Sequence, residues 1–177
     1  MGLQVQGLSY IHPNRDILFQ NINFAISSGE RCAIVGNNGV GKSTLLGIMA
    51  GKVSPAEGCV LCDGVPYMIP QHFGQFDGLS VAEALGLAGK LRALSIILDG
   101  HGTEKEYERL NDEWDIQERL EEAFARWQIG HIAPDMLMGC LSGGEKTKVF
   151  LAGQDIYKPA IVLMDEPTNH LDTTGRA

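Results

Sequence analysis

The chain has 177 residues, 44% of them hydrophobic, and a formal net charge of -8 at pH 7. This length suits one domain of ordinary size or a piece of a larger one, and the apolar share allows a real core. The acidic balance argues against a broadly basic surface that binds nucleic acid through its phosphates, although it leaves room for a local basic patch. No run of about 18 apolar residues is present, so no membrane span is predicted. The first residues lack a basic region followed by an apolar stretch, and we therefore expect a cytosolic, cytoplasmic protein.

Cysteine usage gives little support for a metal or redox site. Of the four cysteines, Cys59 and Cys62 form a C-x-x-C pattern, the spacing of a metal-binding or redox pair. Residues three apart on a strand face opposite sides, however, and no second pair completes a zinc site. We expect all four, including Cys32 and Cys140, to be reduced structural thiols.

The N-terminal part is predicted to be β structure. Apolar residues recur at Leu3, Val5 and Leu8, and again between residues 17 and 26, before a turn at 27–30. The next run, 31–35, is short and apolar, and it predicts a buried strand. It leads directly into a glycine-rich loop.

This loop is the most informative segment of the chain. It reads, in order, Gly36, Asn37, Asn38, Gly39, Val40, Gly41, Lys42 and Ser43. The pattern G-x-x-x-x-G-K-[ST] uses glycines to point backbone N–H groups inward at phosphate oxygens. Lys42 can place its charge on the β- and γ-phosphates, and Ser43 can offer its hydroxyl to Mg²⁺. The helix predicted from Thr44 onwards directs its positive end at the anion.

The middle of the chain is predicted to be helical, after two short strands near 59–62 and 66–69. Two capping boxes mark helix starts: Ser80 with Glu83, and Thr103 with Glu106. The first helix is expected over 81–98. The second carries apolar side chains at helical spacing: Tyr107, Leu110 and Trp114, then Leu120, Phe124 and Trp127.

The segment 101–127 contains nine acidic and four basic residues. We interpret it as a solvated helical face whose Trp and Leu side chains pack inward. A partner-binding arm is the alternative interpretation.

The last part returns to alternating helix and strand. A helix is expected from Ser142 to about residue 157, and the run 161–164 predicts a buried strand that ends at Asp165 and Glu166. Beside a phosphate loop, the first carboxylate can hold Mg²⁺ through its waters, and the second can polarise the water that attacks the γ-phosphate. The pair follows the loop by about 120 residues, an order that strengthens an otherwise weak signal.

A further motif, Leu-Ser-Gly-Gly-Glu-Lys, occupies residues 141–146. Ser142, Gly143 and Gly144 stand at a helix start, where a hydroxyl and backbone N–H groups can face an anion. An ordinary helix cap explains the same residues without a function. The ordered occurrence of three such motifs in one short chain nevertheless makes coincidence very improbable.

Together these motifs resemble the nucleotide-binding domain of ATP-binding cassette (ABC) proteins over almost the whole chain. The resemblance implies an α/β fold: a P-loop NTPase core of the RecA type, a small antiparallel β subdomain and an α-helical subdomain. It places the β subdomain and core in 1–75. The helical subdomain, with the family's signature motif at 141–146, falls in 78–157. The strand that ends at Asp165 and Glu166, with the loop after it, falls in 160–177.

The same resemblance assigns roles to individual residues. Gln71 matches the family's glutamine, which reports the γ-phosphate and Mg²⁺ to the helical subdomain. Tyr10, 26 residues before Gly36, fits the aromatic residue that stacks on adenine, although a core or edge tyrosine explains it nearly as well. Catalytic roles fall to Glu166, Lys42 and Gln71, and metal binding to Ser43, Gln71 and Asp165. The implied nucleotide-binding residues are Tyr10, Gly36, Asn37, Asn38, Gly39, Val40, Gly41, Lys42, Ser43, Thr44, Ser142, Gly143 and Gly144.

Residues 165–172, Asp-Glu-Pro-Thr-Asn-His-Leu-Asp, are similar to the F subfamily, ABC-F. Its members are cytosolic, lack transmembrane domains, usually carry two cassettes in one chain and act on ribosomes. Transporter cassettes usually have other residues at Asn169 and His170. We therefore expect an ABC-F type ATPase that acts on the ribosome, with ribosomal RNA among its partners. One alternative is an ATP-binding subunit of an ABC transporter. The other is a nucleotide-gated binding module, in which ATP closes two cassettes like a clamp and ATP turnover only reopens them.

The chain departs from the family in two ways. It ends at Ala177, before the strand that carries the family's switch histidine, so we expect a fragment that lacks the C-terminal part of the sheet. It also carries a single cassette, whereas the family holds ATP between two. We expect ATP and Mg²⁺ as ligands, a second cassette in the same chain or a homodimer as partner, and little activity from this fragment alone.

Overall fold

The computed structural model describes residues 2–166, which divide into two units. The first comprises residues 2–70 with Pro159–Glu166, and the second comprises Gln71–Lys158. The residues that follow the Asp165–Glu166 pair, including Asn169 and His170, lie outside the described residues.

The first unit contains the predicted antiparallel β structure. Strands β1 (Leu3–Ile11), β2 (Ile17–Ile26) and β3 (Glu57–Cys62) form a sheet in the order β2-β1-β3. The central strand pairs with both neighbours through the same residue, since Val5 lies opposite Phe24 and Val60. In β1, Leu3 and Val5 are buried whereas Gln4 and Gln6 are not, and this alternation confirms the period of two read from the sequence.

Helix α1 (Lys42–Met49) packs its apolar residues against this sheet. The shared core is lined by Leu3, Val5, Leu8, Leu45, Leu46, Ile48, Met49 and Leu163. Two further strands, β4 (Tyr67–Ile69) and β5 (Val162–Met164), pair in parallel, with Met68 opposite Leu163. The helix that carries the glycine-rich loop is therefore anchored by the same core as the strand that precedes Asp165.

The expected buried strand at 31–35 is not formed. All five residues are exposed, and Val35 retains 87% of its accessible surface. Within the described residues, the parallel sheet holds only β4 and β5, and it gives this segment no neighbouring strand. A short apolar run becomes a buried strand only when flanking strands satisfy its backbone groups, so the prediction fails for want of partners.

The second unit is helical. It contains α2 (Val81–Ala84), α3 (Ala88–Leu98), α4 (Glu104–Leu110), α5 (Ile116–Arg126) and α6 (Gly143–Tyr157), with single 3-10 turns at Gly74–Phe76 and Met138–Cys140. Helix α5 packs on α6, and α3 packs on α4. Both capping boxes predicted at Ser80 and Thr103 are present.

Two helices are shorter than the sequence pattern predicted. The expected helix over 81–98 is interrupted at Gly86, whose φ of 74° is left-handed. The helix after Thr103 ends at Leu110, because Asn111 and Asp112 have φ of 51° and 58°. Trp114 therefore lies between two helices and is 48% exposed, which corrects its expected inward packing.

Apolar and polar contacts hold the second unit together. The Phe73 and Phe150 rings stack at 5.4 Å, and Phe76 packs on Phe150 at 4.9 Å. The Trp127 indole donates to Asp155 at 3.0 Å, and the Tyr157 hydroxyl donates to the Leu85 carbonyl at 2.6 Å. Each of these two part-buried hydrogen bonds joins residues far apart in the sequence.

All four cysteines are free thiols. Cys32, Cys59 and Cys140 are exposed, so these three do not contribute to the core as structural thiols should. None of the helices within residues 2–166 is long and apolar enough to cross a membrane.

Candidate functional site

The glycine-rich loop takes a conformation that only glycine tolerates well. Gly39 and Gly41 have φ of 82° and 99°, in the left-handed region. Gly41 precedes the first turn of α1, and its carbonyl accepts from the Leu45 N–H at 2.9 Å. A Cβ added at Gly41 would lie 2.8 Å from Leu18 Cδ2. The loop thus lies so close to β2 that a side chain at this position would require Leu18 to shift.

Lys42 closes this loop with its own side chain. Its Nζ donates to the carbonyl oxygens of Gly36 at 2.9 Å and Asn37 at 3.0 Å. The ammonium group therefore lies at the carbonyls of the glycine-rich loop. Ser43 and Thr44 follow in the first turn of α1, where Ser43 is exposed.

The start of α1 is electrostatically open to an anion. The first turn of this helix contains no acidic residue. Its free N–H groups and dipole are therefore not offset by a local carboxylate. Together with Lys42, they make a positive site out of a chain whose net charge is negative.

Tyr10 lies near the end of β1 in an aromatic group. Its ring meets His12 edge-on at 5.5 Å and Phe19 at 6.1 Å, and it is half-buried. Phe19 also lies 3.2 Å from the position of a Cβ on Gly41. The group thus connects Tyr10 to the loop, although its stacking on a base stays a prediction.

Asp165 and Glu166 follow β5. Asp165 is 7% exposed, and its N–H donates to the Ile69 carbonyl at 3.3 Å. Glu166 is half-buried and has a φ of 47°. A buried carboxylate is costly unless a cation or hydrogen-bond donors compensate it, so Asp165 suits a position beside a metal ion.

The donor set agrees with Mg²⁺. Within residues 2–166, no group of three or more His, Cys, Asp or Glu side chains could hold a metal by itself. Mg²⁺ is commonly bound by one or two carboxylates, several waters and substrate phosphates rather than by an all-protein cage. A single buried Asp165 with the Ser43 hydroxyl fits that pattern.

Ser142 caps α6 in the second unit. Its hydroxyl and its N–H both donate to Glu145 Oε2, at 2.6 and 2.8 Å, and the Glu145 N–H donates back to Ser142 Oγ at 3.3 Å. The Ser142 hydroxyl and backbone N–H, followed by His131, lower the pKa of the Glu145 carboxyl to about 2. Glu145 is therefore ionised at neutral pH.

Sequence reasoning did not find two contacts of this cap. His131 Nε2 lies 3.0 Å from Glu145 Oε1, and Lys146 Nζ lies 2.6 Å from Asp77 Oδ1. The serine–glutamate spacing of a capping box could have predicted the role of Glu145. No local pattern predicts contacts over separations of 14 and 69 residues.

The predicted site residues are distributed over both units. The first unit contains the loop with Ser43 and Thr44, Tyr10 and the Asp165–Glu166 pair. The second contains half-buried Gln71 and the cap of α6 with Gly143 and Gly144. The roles of these residues stay predictions.

Comparison with known proteins shows clear similarity. A sequence model of the ABC transporter family matches residues 19–169. Tylosin resistance ATP-binding protein TlrC of Streptomyces fradiae is 31% identical over 96% of this chain. Energy-coupling factor transporter ATP-binding protein EcfA3 of Clostridium perfringens is 32% identical over 98%, and ABC transporter F family member 4 of Arabidopsis thaliana is 33% identical over 96%.

A solved structure agrees in fold. The structure of cbiO1 from Clostridium perfringens, described as part of the ABC transporter complex cbiONQ, superposes with a TM-score of 0.65 and 28% identity. The alignment covers 98% of this chain and 68% of that one. The fold is thus the α/β P-loop fold of ABC ATPases, with its antiparallel β subdomain and helical parts. The chain spans 35% of TlrC, 60% of EcfA3 and 22% of the F family member.

Proposed function

Because the chain belongs to the ABC transporter family, we propose that residues 36–43 bind the triphosphate of ATP and that the whole protein hydrolyses it. The observation that carries this proposal is the contact of Lys42 Nζ with two carbonyls of its own loop. Exchange of these carbonyls for β- and γ-phosphate oxygens keeps the ammonium hydrogen-bonded and adds charge attraction.

Mg²⁺ is the metal that the donor set supports. Ser43 and Asp165 supply one hydroxyl and one carboxylate from the unit that contains the loop. When bound, Mg²⁺ neutralises charge on the β- and γ-phosphates. Gln71 is proposed as a further Mg²⁺ ligand, as the family resemblance implies.

Glu166 is the proposed general base. It directly follows the buried Asp165, and its left-handed φ of 47° turns the chain sharply at this point. A carboxylate here orients the attacking water, while Lys42 and the loop N–H groups stabilise charge on the transferred phosphoryl group.

A second cassette is the proposed partner. Ser142, Gly143 and Gly144 would face the γ-phosphate of ATP bound by that cassette, because the backbone N–H groups at a helix start suit an anion. The two sites then close together on ATP and open after hydrolysis, as a two-state clamp.

Membrane transport is the process that the comparisons favour. EcfA3 and cbiO1 are both described as parts of transporters. Acidic residues outnumber basic ones nine to four in the segment 101–127, and Arg119 pairs with Glu113 and Asp115. This segment therefore offers little positive charge to RNA. We propose a cytoplasmic ATP-binding subunit that drives a membrane partner.

An ABC-F role on the ribosome is the second candidate. Residues 165–172 carry the Asn169–His170 pair typical of that subfamily, and one relative is named as an F family member. Purification of the whole protein with Glu166→Gln, in the presence of ATP, separates the two. Co-purification with a membrane subunit supports transport, and co-sedimentation with ribosomes supports the second candidate.

The ATPase proposal predicts opposite effects at two positions. Glu166→Gln is expected to lower kcat of the whole protein by about a hundredfold or more and leave ATP affinity nearly unchanged, because a general base contributes roughly 10²–10⁴-fold. Lys42→Ala is expected to abolish ATP binding. Turnover by a phosphate-release assay and affinity by titration with a fluorescent ATP analogue measure both. Unchanged turnover in Glu166→Gln would contradict its assignment as the base.

A further inference from the structure

The cap of α6 poses a conflict for the Ser142 hydroxyl. A hydroxyl has one proton, and here it is donated to Glu145 Oε2 at 2.6 Å. The same hydroxyl cannot donate to a phosphate oxygen at the same time. The Glu145 carboxylate also places negative charge beside the position that a phosphate would occupy.

His131 contacts the opposite oxygen of this carboxylate. Its Nε2 lies 3.0 Å from Glu145 Oε1, so the three side chains form a chain of hydrogen bonds from Ser142 through Glu145 to His131. The His131 side chain is 64% exposed, whereas that of Glu145 is 33% exposed. An N–H donor at Oε1 draws carboxylate charge away from Oε2 and fixes the carboxylate's orientation.

From this arrangement we propose that His131 is a positioning residue for Ser142. By holding Oε1 of Glu145, His131 weakens the carboxylate's hold on the serine hydroxyl and lets it donate to the γ-phosphate of ATP bound by the partner cassette. The inference rests on the proposed function, in which Ser142 faces that phosphate.

The expected phenotype separates turnover from nucleotide binding. In the whole protein, His131→Ala is expected to lower kcat about tenfold, the size expected for loss of one hydrogen bond to a charged group. Affinity of the Lys42 loop for ATP should change less than about twofold, because His131 and the loop belong to different units. His101→Ala, at an exposed histidine of the same unit as His131, is the matched control and should retain wild-type turnover.

Two further variants separate positioning from a purely structural role. His131→Gln keeps an N–H donor and should restore most of the turnover. In a Glu145→Gln background no carboxylate charge remains, so His131→Ala should have no additional effect on kcat. A structural role would instead lower stability to the same extent in both backgrounds and would not be rescued by glutamine.

The outcomes distinguish this inference from the proposed function. Loss of turnover in Ser142→Ala with wild-type turnover in His131→Ala overturns the inference alone. No rescue by glutamine, or an undiminished effect of His131→Ala in the Glu145→Gln background, also overturns it. Wild-type turnover in Ser142→Ala overturns the proposed role of that serine, and the inference with it.

Discussion

At the scale of single residues, the glycine-rich loop depends on backbone freedom and close approach at the same position. Gly41 combines a φ of 99° with a side-chain neighbour, Leu18, that would have to shift to admit a Cβ. Gly39 has a similar φ, 82°, and no described atom lies within 4 Å of its Cβ position. Substitutions at these two glycines therefore separate the cost of backbone strain from the cost of moving Leu18.

Gly41→Ala is expected to be more damaging than Gly39→Ala. Both changes place alanine in the left-handed region, at a cost of about 1–2 kcal/mol, but only Gly41→Ala also displaces Leu18. Denaturant unfolding of the two variants measures this difference. Equal losses of stability would show that the close contact with Leu18 does not add to the destabilisation by Gly41→Ala.

Glu145 gives a pH dependence whose sign follows from its pKa. Its folded-state value of about 2 lies below its ordinary 4.5, so its contribution to stability is complete above 4.5 and is lost as pH falls towards 2. The free energy of unfolding should therefore differ between wild type and Glu145→Gln at neutral pH, and this difference should shrink on acidification. Denaturant titrations at several pH values measure it, and a difference independent of pH would contradict the assigned pKa.

At the scale of elements, α6 connects the signature motif to the core of the helical unit. Its first residues are Gly143 and Gly144, and further along it carries Phe150, which is 4% exposed and packs on Phe73 and Phe76. The burial of this face holds the helix whose N-terminus Ser142 caps. Packing in the core and the position of the proposed site are thus properties of one element.

Phe150→Ala should destabilise the helical unit by roughly 3–5 kcal/mol, the usual cost of removing a buried phenylalanine. Tyr107→Ala is the matched control, because Tyr107 is an aromatic residue of the same unit that is half-exposed. It should cost much less. Thermal unfolding of both variants tests this, and similar losses would contradict the described packing.

The segment 31–35 shows how far an element depends on its neighbours. No backbone hydrogen bond of Cys32–Val35 is present among the described residues outside the helices and strands. In the 177-residue chain, we expect the amides of this segment to exchange with solvent much faster than those of β1, which pairs on both sides. Hydrogen exchange followed by mass spectrometry or NMR measures both. Protection of 31–35 comparable to that of β1 would contradict the observed structure.

At the scale of the whole molecule, the chain consists of two units that each contribute predicted site residues. The loop and the acidic pair belong to one unit, and Gln71 with the Ser142 cap belongs to the other. ATP hydrolysis coupled to movement needs elements that nucleotide can bias towards one arrangement. The proposed clamp closes between two cassettes, and each cassette would contribute candidate residues from both of its units.

The sequence alone determined the features that depend on short spacings. The phosphate loop, the two predicted capping boxes and the alternation in β1 and β2 were all read from residues a few positions apart, because helices and strands repeat over that distance. Only the tertiary structure decided which apolar runs are buried, where helices end and which distant side chains meet. Val35 is exposed because no strand within residues 2–166 flanks it, and His131 reaches Glu145 because the fold, not the spacing, brings them together.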